Sequence, residues 1–183
     1  MMLVVRALML SWCVAVPGAF ALGIPQIMHM SKEDFLAQAF AEEPQWSMLR
    51  LKRPLKQRIN QILGHPYPGG RIRYWHQGPR TAWIIDEIGK EMPITMGLVV
   101  ENNAIIEVRI LVYREERGGE VHEPSFTRQF ANVTLQGDGL SRQIDGISGA
   151  TLSVDAVTRV AELALVLHEW VLDGPAPEQL AHQ

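Results

Sequence analysis

An α+β fold, a mainly antiparallel sheet packed against helices, is predicted by three features of this 183-residue chain. Residues 71–113 fall into four short β-rich runs separated by turn residues. A long stretch from Ser153 to about Leu172 repeats apolar residues at three- and four-residue steps, and two shorter helical patterns precede the sheet region. Composition agrees with one globular unit: 47% of the residues are hydrophobic and 20% charged, with 17 Lys and Arg against 20 Asp and Glu. That balance leaves no basic surface for phosphate contacts, so nucleic acid is not an expected partner. The single Cys excludes an intramolecular disulfide framework, a CxxC redox site, an iron–sulfur cluster and a thiolate zinc site. Redox chemistry, if present, must come from a bound organic cofactor.

Residues 1–21 have the form of a secretory signal peptide: Arg6 near the start, an apolar run from Ala7 to Val16, the breaker Pro17-Gly18, and Ala19-Phe20-Ala21 as the cleavage site. The alternative is an uncleaved anchor, because Ala7 to Ile24 reaches the lower limit for crossing a bilayer. Cys13 follows Leu10-Ser11-Trp12, which lacks the small residue that precedes a lipidated Cys. The expected location is therefore the periplasm, with inner-membrane association if the leader is retained.

Residues 22–80 are expected to be an N-terminal helical region leading into the sheet. Ser31 stands three residues ahead of Asp34 as an N-cap, and Phe35, Leu36, Ala39 and Phe40 follow at helical spacing. A second helix is expected from Arg53 to Leu63, with Pro54 in its first turn and Gly64 as its stop. The strands are expected at Arg71–Trp75, Thr81–Glu87, Ile94–Glu101 and Ala104–Tyr113. Asn102-Asn103 joins the last two as a two-residue hairpin, since Asn tolerates the positive φ such turns need. Glu115–Glu123 reads as a charged loop, and Pro124–Phe130 as a short helix that seats Phe126 and Phe130. In the final helix Val157, Val160, Ala161, Ala164, Leu167 and Val171 form the buried side. The domain core is placed at 81–173 and a loose tail at 174–183.

Chemistry enters at Asp145-Gly146-Ile147-Ser148-Gly149-Ala150-Thr151, a D-x-x-S-G-A-T sequence running into a helix start. This motif resembles the flavinylation motif of the FMN-binding domain family, which includes the C subunit of sodium-translocating NADH:quinone reductase and the G subunit of the Rnf complex. The resemblance extends over about residues 90–172. It implies a single FMN-binding domain with covalent FMN on the Thr151 hydroxyl through a phosphodiester, and a periplasmic FAD:protein FMN transferase that makes the bond. Ser148, Gly149 and Ala150 become the loop around the attachment point, and Asp145 the residue the transferase recognises. Asp145 is equally a turn former ahead of Gly146.

In many members of the family a loop containing E-T-P-G lines the flavin ring. Here the matching stretch is Tyr113-Arg114-Glu115-Glu116-Arg117-Gly118-Gly119-Glu120-Val121, without Thr-Pro, so Glu115, Arg117 and Gly118 are the candidate ring contacts. A solvated charged loop is the competing reading of the same residues. Trp75, Trp83 and Trp170 either flank the ring or fill the core, and core is the commoner use of aromatic residues on strands and helices. His29, His65, His76, His122, His168 and His182 show no metal-ligand spacing, so no metal or haem site is expected.

The function implied is an exported electron carrier working with membrane or periplasmic donor and acceptor proteins. Its rivals are a flavin-dependent reductase of a small acceptor, the flavin subunit of a membrane-bound complex, and a structural module without flavin.

Overall fold

Six strands form one sheet in the order β1-β6-β5-β4-β3-β2, with every neighbouring pair antiparallel. They are β1 (Ile27–Met28), β2 (Gln45–Arg50), β3 (Arg71–Gln77), β4 (Arg80–Ile88), β5 (Pro93–Glu101) and β6 (Ala104–Tyr113). A computed structural model describes residues 26–173, and the expected signal peptide and tail lie outside them. A small hairpin, β7 (Leu135–Gln136) with β8 (Gly139–Leu140), stands apart from the main sheet. The α+β architecture is as the sequence predicts.

The helices follow their local signals. In α1 (Lys32–Ala39) the Ser31 hydroxyl accepts the Asp34 N–H at 3.0 Å, satisfying one of the N–H groups that a helix start leaves unpaired. α2 (Arg53–Leu63) carries Pro54 in its first turn and ends where Gly64 turns left-handed at φ 78°. α3 (Pro124–Thr127) continues into a 3-10 turn at 128–130, which sets the Phe126 and Phe130 rings edge-on at 5.5 Å in the core. α4 (Thr151–Asp173) starts two residues earlier than the apolar period indicates. Asn102 and Asn103 take φ of 51° and 60°, the positive pair that the hairpin between β5 and β6 requires.

One expectation is corrected. The region 22–80 is not helical up to the expected strand at Arg71, since its described part also supplies β1 and β2, the two edge strands of the sheet. β2 escapes a sequence reading because it is an edge strand with no fully buried residue, and Trp46 on it is 56% exposed. Its register comes from six paired positions along β3.

The sheet divides the protein into layers. On one face, α2 and α4 bury Leu55, Ile59, Val157, Val160, Ala161 and Ala164 against Trp83, Met96, Leu98 and Ile110. On the other, α1 buries Phe35 and Ala39 against Trp75, Ala82, Val99 and Leu111. A Cβ at Gly97 would lie 2.8 Å from the Phe35 ring, so only a glycine lets this ring sit on β5. The alternation along β4 separates the faces: Trp83 and Ile85 point to α4 and α2, Ala82 and Ile84 to α1.

Candidate functional site

The antiparallel order gathers several loops at one end of the sheet. β3 begins there, β4 ends, β5 begins and β6 ends, which brings together the loop 64–70, the turn 89–92 and the loop 114–118. α4 runs opposite to β4 and starts at this same end. Arg159, two turns into the helix, meets Glu87 near the close of β4, whereas His168 meets Thr81 near its start.

The D-x-x-S-G-A-T segment forms the entry to α4. The Ala150 N–H donates to the Ile147 carbonyl at 3.0 Å, closing a turn in which Gly149 holds φ 82°, a value that a side chain at this place would make costly. Ser148 and Gly149 are exposed on that turn. The Ala150 carbonyl accepts the first helical bond, from Val154 N–H at 2.9 Å, which makes Ala150 the cap residue and Thr151 the first residue of the helix. A methyl side chain cannot accept a hydrogen bond, so Ala150 does not cap the N–H groups that open α4 as Ser or Asp would. Thr151 is exposed at this positive end of the helix dipole.

The other hydroxyl nearby is already engaged. Tyr113, the last residue of β6, donates its phenolic O–H to the Arg117 carbonyl, which leaves the Ser153 hydroxyl as the donor to Tyr113 Oη at 2.9 Å. Ser153 is 4% exposed, and burial is the main reason the Tyr113 hydroxyl is held above the usual tyrosine range. Of the two hydroxyls at the helix start, Thr151 is free to react and Ser153 is not. Sequence reasoning missed this clamp; its one signal is a Tyr placed directly before the glycine-containing loop.

Gly118 seats the loop against the motif. It is buried with φ 85°, and a Cβ there would lie 2.9 Å from Tyr113 Oη, 3.1 Å from Ala150 Cβ and 3.1 Å from Ser153 Oγ. The structure therefore joins Gly118, Ala150 and Ser153, residues that the sequence separates by more than thirty positions. Arg117 is exposed beside them and takes part through its carbonyl.

Glu115 has a different occupation. Its Oε1 accepts the N–H groups of Lys90, Glu91 and Met92 at 2.5, 2.7 and 2.9 Å, tying the loop to the turn between β4 and β5. Burial pushes its pKa up, but these three donors and the Lys90 charge outweigh it and hold the carboxyl below the ordinary range. Asp145 is exposed six residues before Thr151, and its main chain exchanges hydrogen bonds with the Gln129 amide at 2.7 and 3.4 Å.

Trp83 and Trp75 are core residues, and Trp170 packs partly buried against the core. Trp83 is fully buried, stacked on Tyr74 at 5.0 Å with its indole N–H on Thr81. Trp75 packs in the α1 layer, and Trp170 sits near the far end of α4. Among the described residues no three His, Cys, Asp or Glu side chains form a metal-binding group, and no helix is long and apolar enough to cross a membrane.

The end of the sheet thus presents an exposed hydroxyl at an uncapped helix start, with a loop brought close by a glycine. An anion fits there. Residues 89–166, which contain the motif, its helix start and the loop, match the model of the FMN-binding domain. No curated protein matches the chain.

Proposed function

We propose that this chain, a flavin-binding protein that belongs to the FMN-binding domain family through residues 89–166, carries its FMN covalently on Thr151 and passes electrons between partner proteins. The observation that carries the reading is the exposure of Thr151 at the first position of α4, beside a Ser153 that is buried and engaged.

A threonine hydroxyl is a weak nucleophile at its ordinary pKa, and among the described residues no base is hydrogen-bonded to Thr151. The base and metal belong to the transferase, for which this segment is the substrate. Thr151 Oγ1 attacks the phosphorus on the FMN side of the FAD pyrophosphate, its proton leaves to the transferase base, and AMP departs. A phosphodiester on Thr151 would be held by the opening N–H groups of α4, where the helix dipole favours a negative charge. Asp145, exposed on the approach to the motif, is the contact for the transferase. Once attached, the flavin supplies the redox chemistry and the protein supplies position and charge.

Export through residues 1–21 places the protein in the periplasm with the transferase and with membrane or periplasmic redox partners. A tether suits that compartment, because a cofactor that dissociated there would be lost.

The test is in-gel flavin fluorescence under denaturing conditions, after expression with the transferase. Thr151→Ala is expected to abolish the signal and Ser153→Ala to retain it. A fluorescent Thr151→Ala protein would remove the assignment.

A further inference from the structure

One polar cluster at the attachment end of α4 is not used by the attachment chemistry. The Glu87 side chain, 3% exposed, points from β4 toward α4 and meets His65 Nε2 at 3.0 and 3.2 Å and Arg159 Nη2 at 3.3 Å. His65 lies just past the end of α2, so three separate elements build the cluster. Its other ring nitrogen, Nδ1, lies 3.3 Å from the Pro66 carbonyl oxygen. Both nitrogens therefore face acceptors, and a neutral imidazole has only one N–H; the imidazolium alone serves both. The Glu87 and Pro66 contacts hold the His65 pKa above its usual value. Arg159 keeps a buried Nε–H with no partner, a donor not spent inside the protein.

Position links this cluster to Thr151. Thr151, Asp155 and Arg159 recur at four-residue steps along one strip of α4, and the first two are exposed. Arg159 is about 12 Å along the axis from Thr151. Just beyond it, Arg58 of α2 bonds Glu162 at 3.1 Å and closes the strip. A group tethered at Thr151 and lying along this strip would reach Arg159, which shares Glu87 with His65.

We propose that the His65–Glu87–Arg159 cluster is the electrostatic partner of the tethered flavin ring, and that His65 is the group whose proton follows the charge on that ring. The inference rests on the attachment reading above. With His65 protonated the cluster holds two positive charges against one negative; with His65 neutral it has no net charge. Two electrons from the donor protein and one proton from solvent would give the ring a single negative charge, and at a pH where His65 is neutral in the oxidised protein that charge would draw a second proton from solvent onto the His65 ring. When the acceptor protein takes the electrons, that N–H bond breaks and both protons return to solvent. Around His65 the charged groups are Glu87 in contact and Arg159 across it, with Asp155 one turn from Arg159 on α4.

The experiment uses the full-length chain made with the transferase, with FMN on Thr151 verified by mass. The His65 ring proton resonance is followed against pH by NMR in the oxidised and the chemically reduced protein. Proton affinity is expected to rise about threefold or more on reduction. A plot of flavin midpoint potential against pH is expected to bend at the His65 pKa, a bend that His65→Gln removes. Arg159→Gln is expected to lower the potential at every pH. Coincident His65 titrations in the two redox states would overturn the proposal, and because they come from the unaltered protein, a misfolded variant cannot obscure them. A mass without FMN would remove the attachment reading itself, and this one with it.

Discussion

α4 touches β4 through a histidine-containing polar contact at each end, and the two contacts are built oppositely. At the far end His168 is fully buried, with Nδ1 2.7 Å from Thr81 Oγ1, the same oxygen that accepts the Trp83 indole N–H at 2.9 Å. The Asn103 N–H points to its Nε2 at 3.4 Å, so the same ring braces the hairpin between β5 and β6. At the near end His65 is 43% exposed in its side chain and leans on a buried carboxylate that also holds a guanidinium. One end uses hydrogen bonds away from water, which lock packing; the other places charged groups at the rim. The difference teaches that the helix is anchored by a buried contact at one end and by a partly exposed, charged one at the other.

Four substitutions break or sharpen this contrast, beginning with the largest effect. His168→Ala empties a buried site and strands the Thr81 and Asn103 groups, at a cost of about 3 kcal/mol in denaturant unfolding. Flavin loading of the folded fraction should be unchanged; a loading defect would mean that the two ends are coupled. Gly118→Ala forces a side chain into φ 85° and against Tyr113, Ala150 and Ser153, for which about 1–3 kcal/mol is expected. Here both stability and the rate of flavinylation should fall, because the strained loop abuts the motif. Normal loading kinetics in this variant would show that the loop does not shape the site.

Glu115→Gln removes the charge from the three bonds to the turn at 90–92 and is expected to cost about 1 kcal/mol. Its pH signature is distinctive. A carboxyl held below its ordinary pKa stabilises the fold above the unfolded value, and that contribution is lost as pH falls through the folded value. The wild-type protein should therefore lose stability in acid more steeply than Glu115→Gln, as urea unfolding at several pH values would record. Parallel curves would contradict the anchoring role. The smallest structural effect is expected for Asp145→Ala, since the residue is exposed and its bonds to Gln129 come from the main chain. Its melting temperature should match the wild type while modification by the transferase slows; a marked loss of stability would instead favour the turn-former reading.

The elements best read from the sequence are those with local punctuation. Pro54 and Gly64 bracket α2 at Arg53–Leu63, and Asn102-Asn103 sets the start of β6 at Ala104. β1 and β2 were not legible, because two residues and an exposed edge strand carry no period that distinguishes them from a loop. The D-x-x-S-G-A-T segment was readable as a motif; its surroundings were not. Glu115 was a candidate ring contact by position in the chain, yet its partners lie in a turn more than twenty residues away.

The sequence by itself determined the helix caps, the hairpin turn, the strand and helix periods and the D-x-x-S-G-A-T segment, because each depends on residues within a few positions of one another. Only the tertiary structure decided that Ser153 is taken by Tyr113 forty residues earlier, that Gly118 rests on Ala150, and that His65, Glu87 and Arg159 converge. Those contacts are set by the antiparallel order of the sheet, which brings the ends of β4 and β6 and the starts of β3 and β5 to the start of α4. No local spacing encodes that order. It follows from which apolar faces can be buried together, and of Thr151 and Ser153 it is the Thr151 hydroxyl that those faces leave outside.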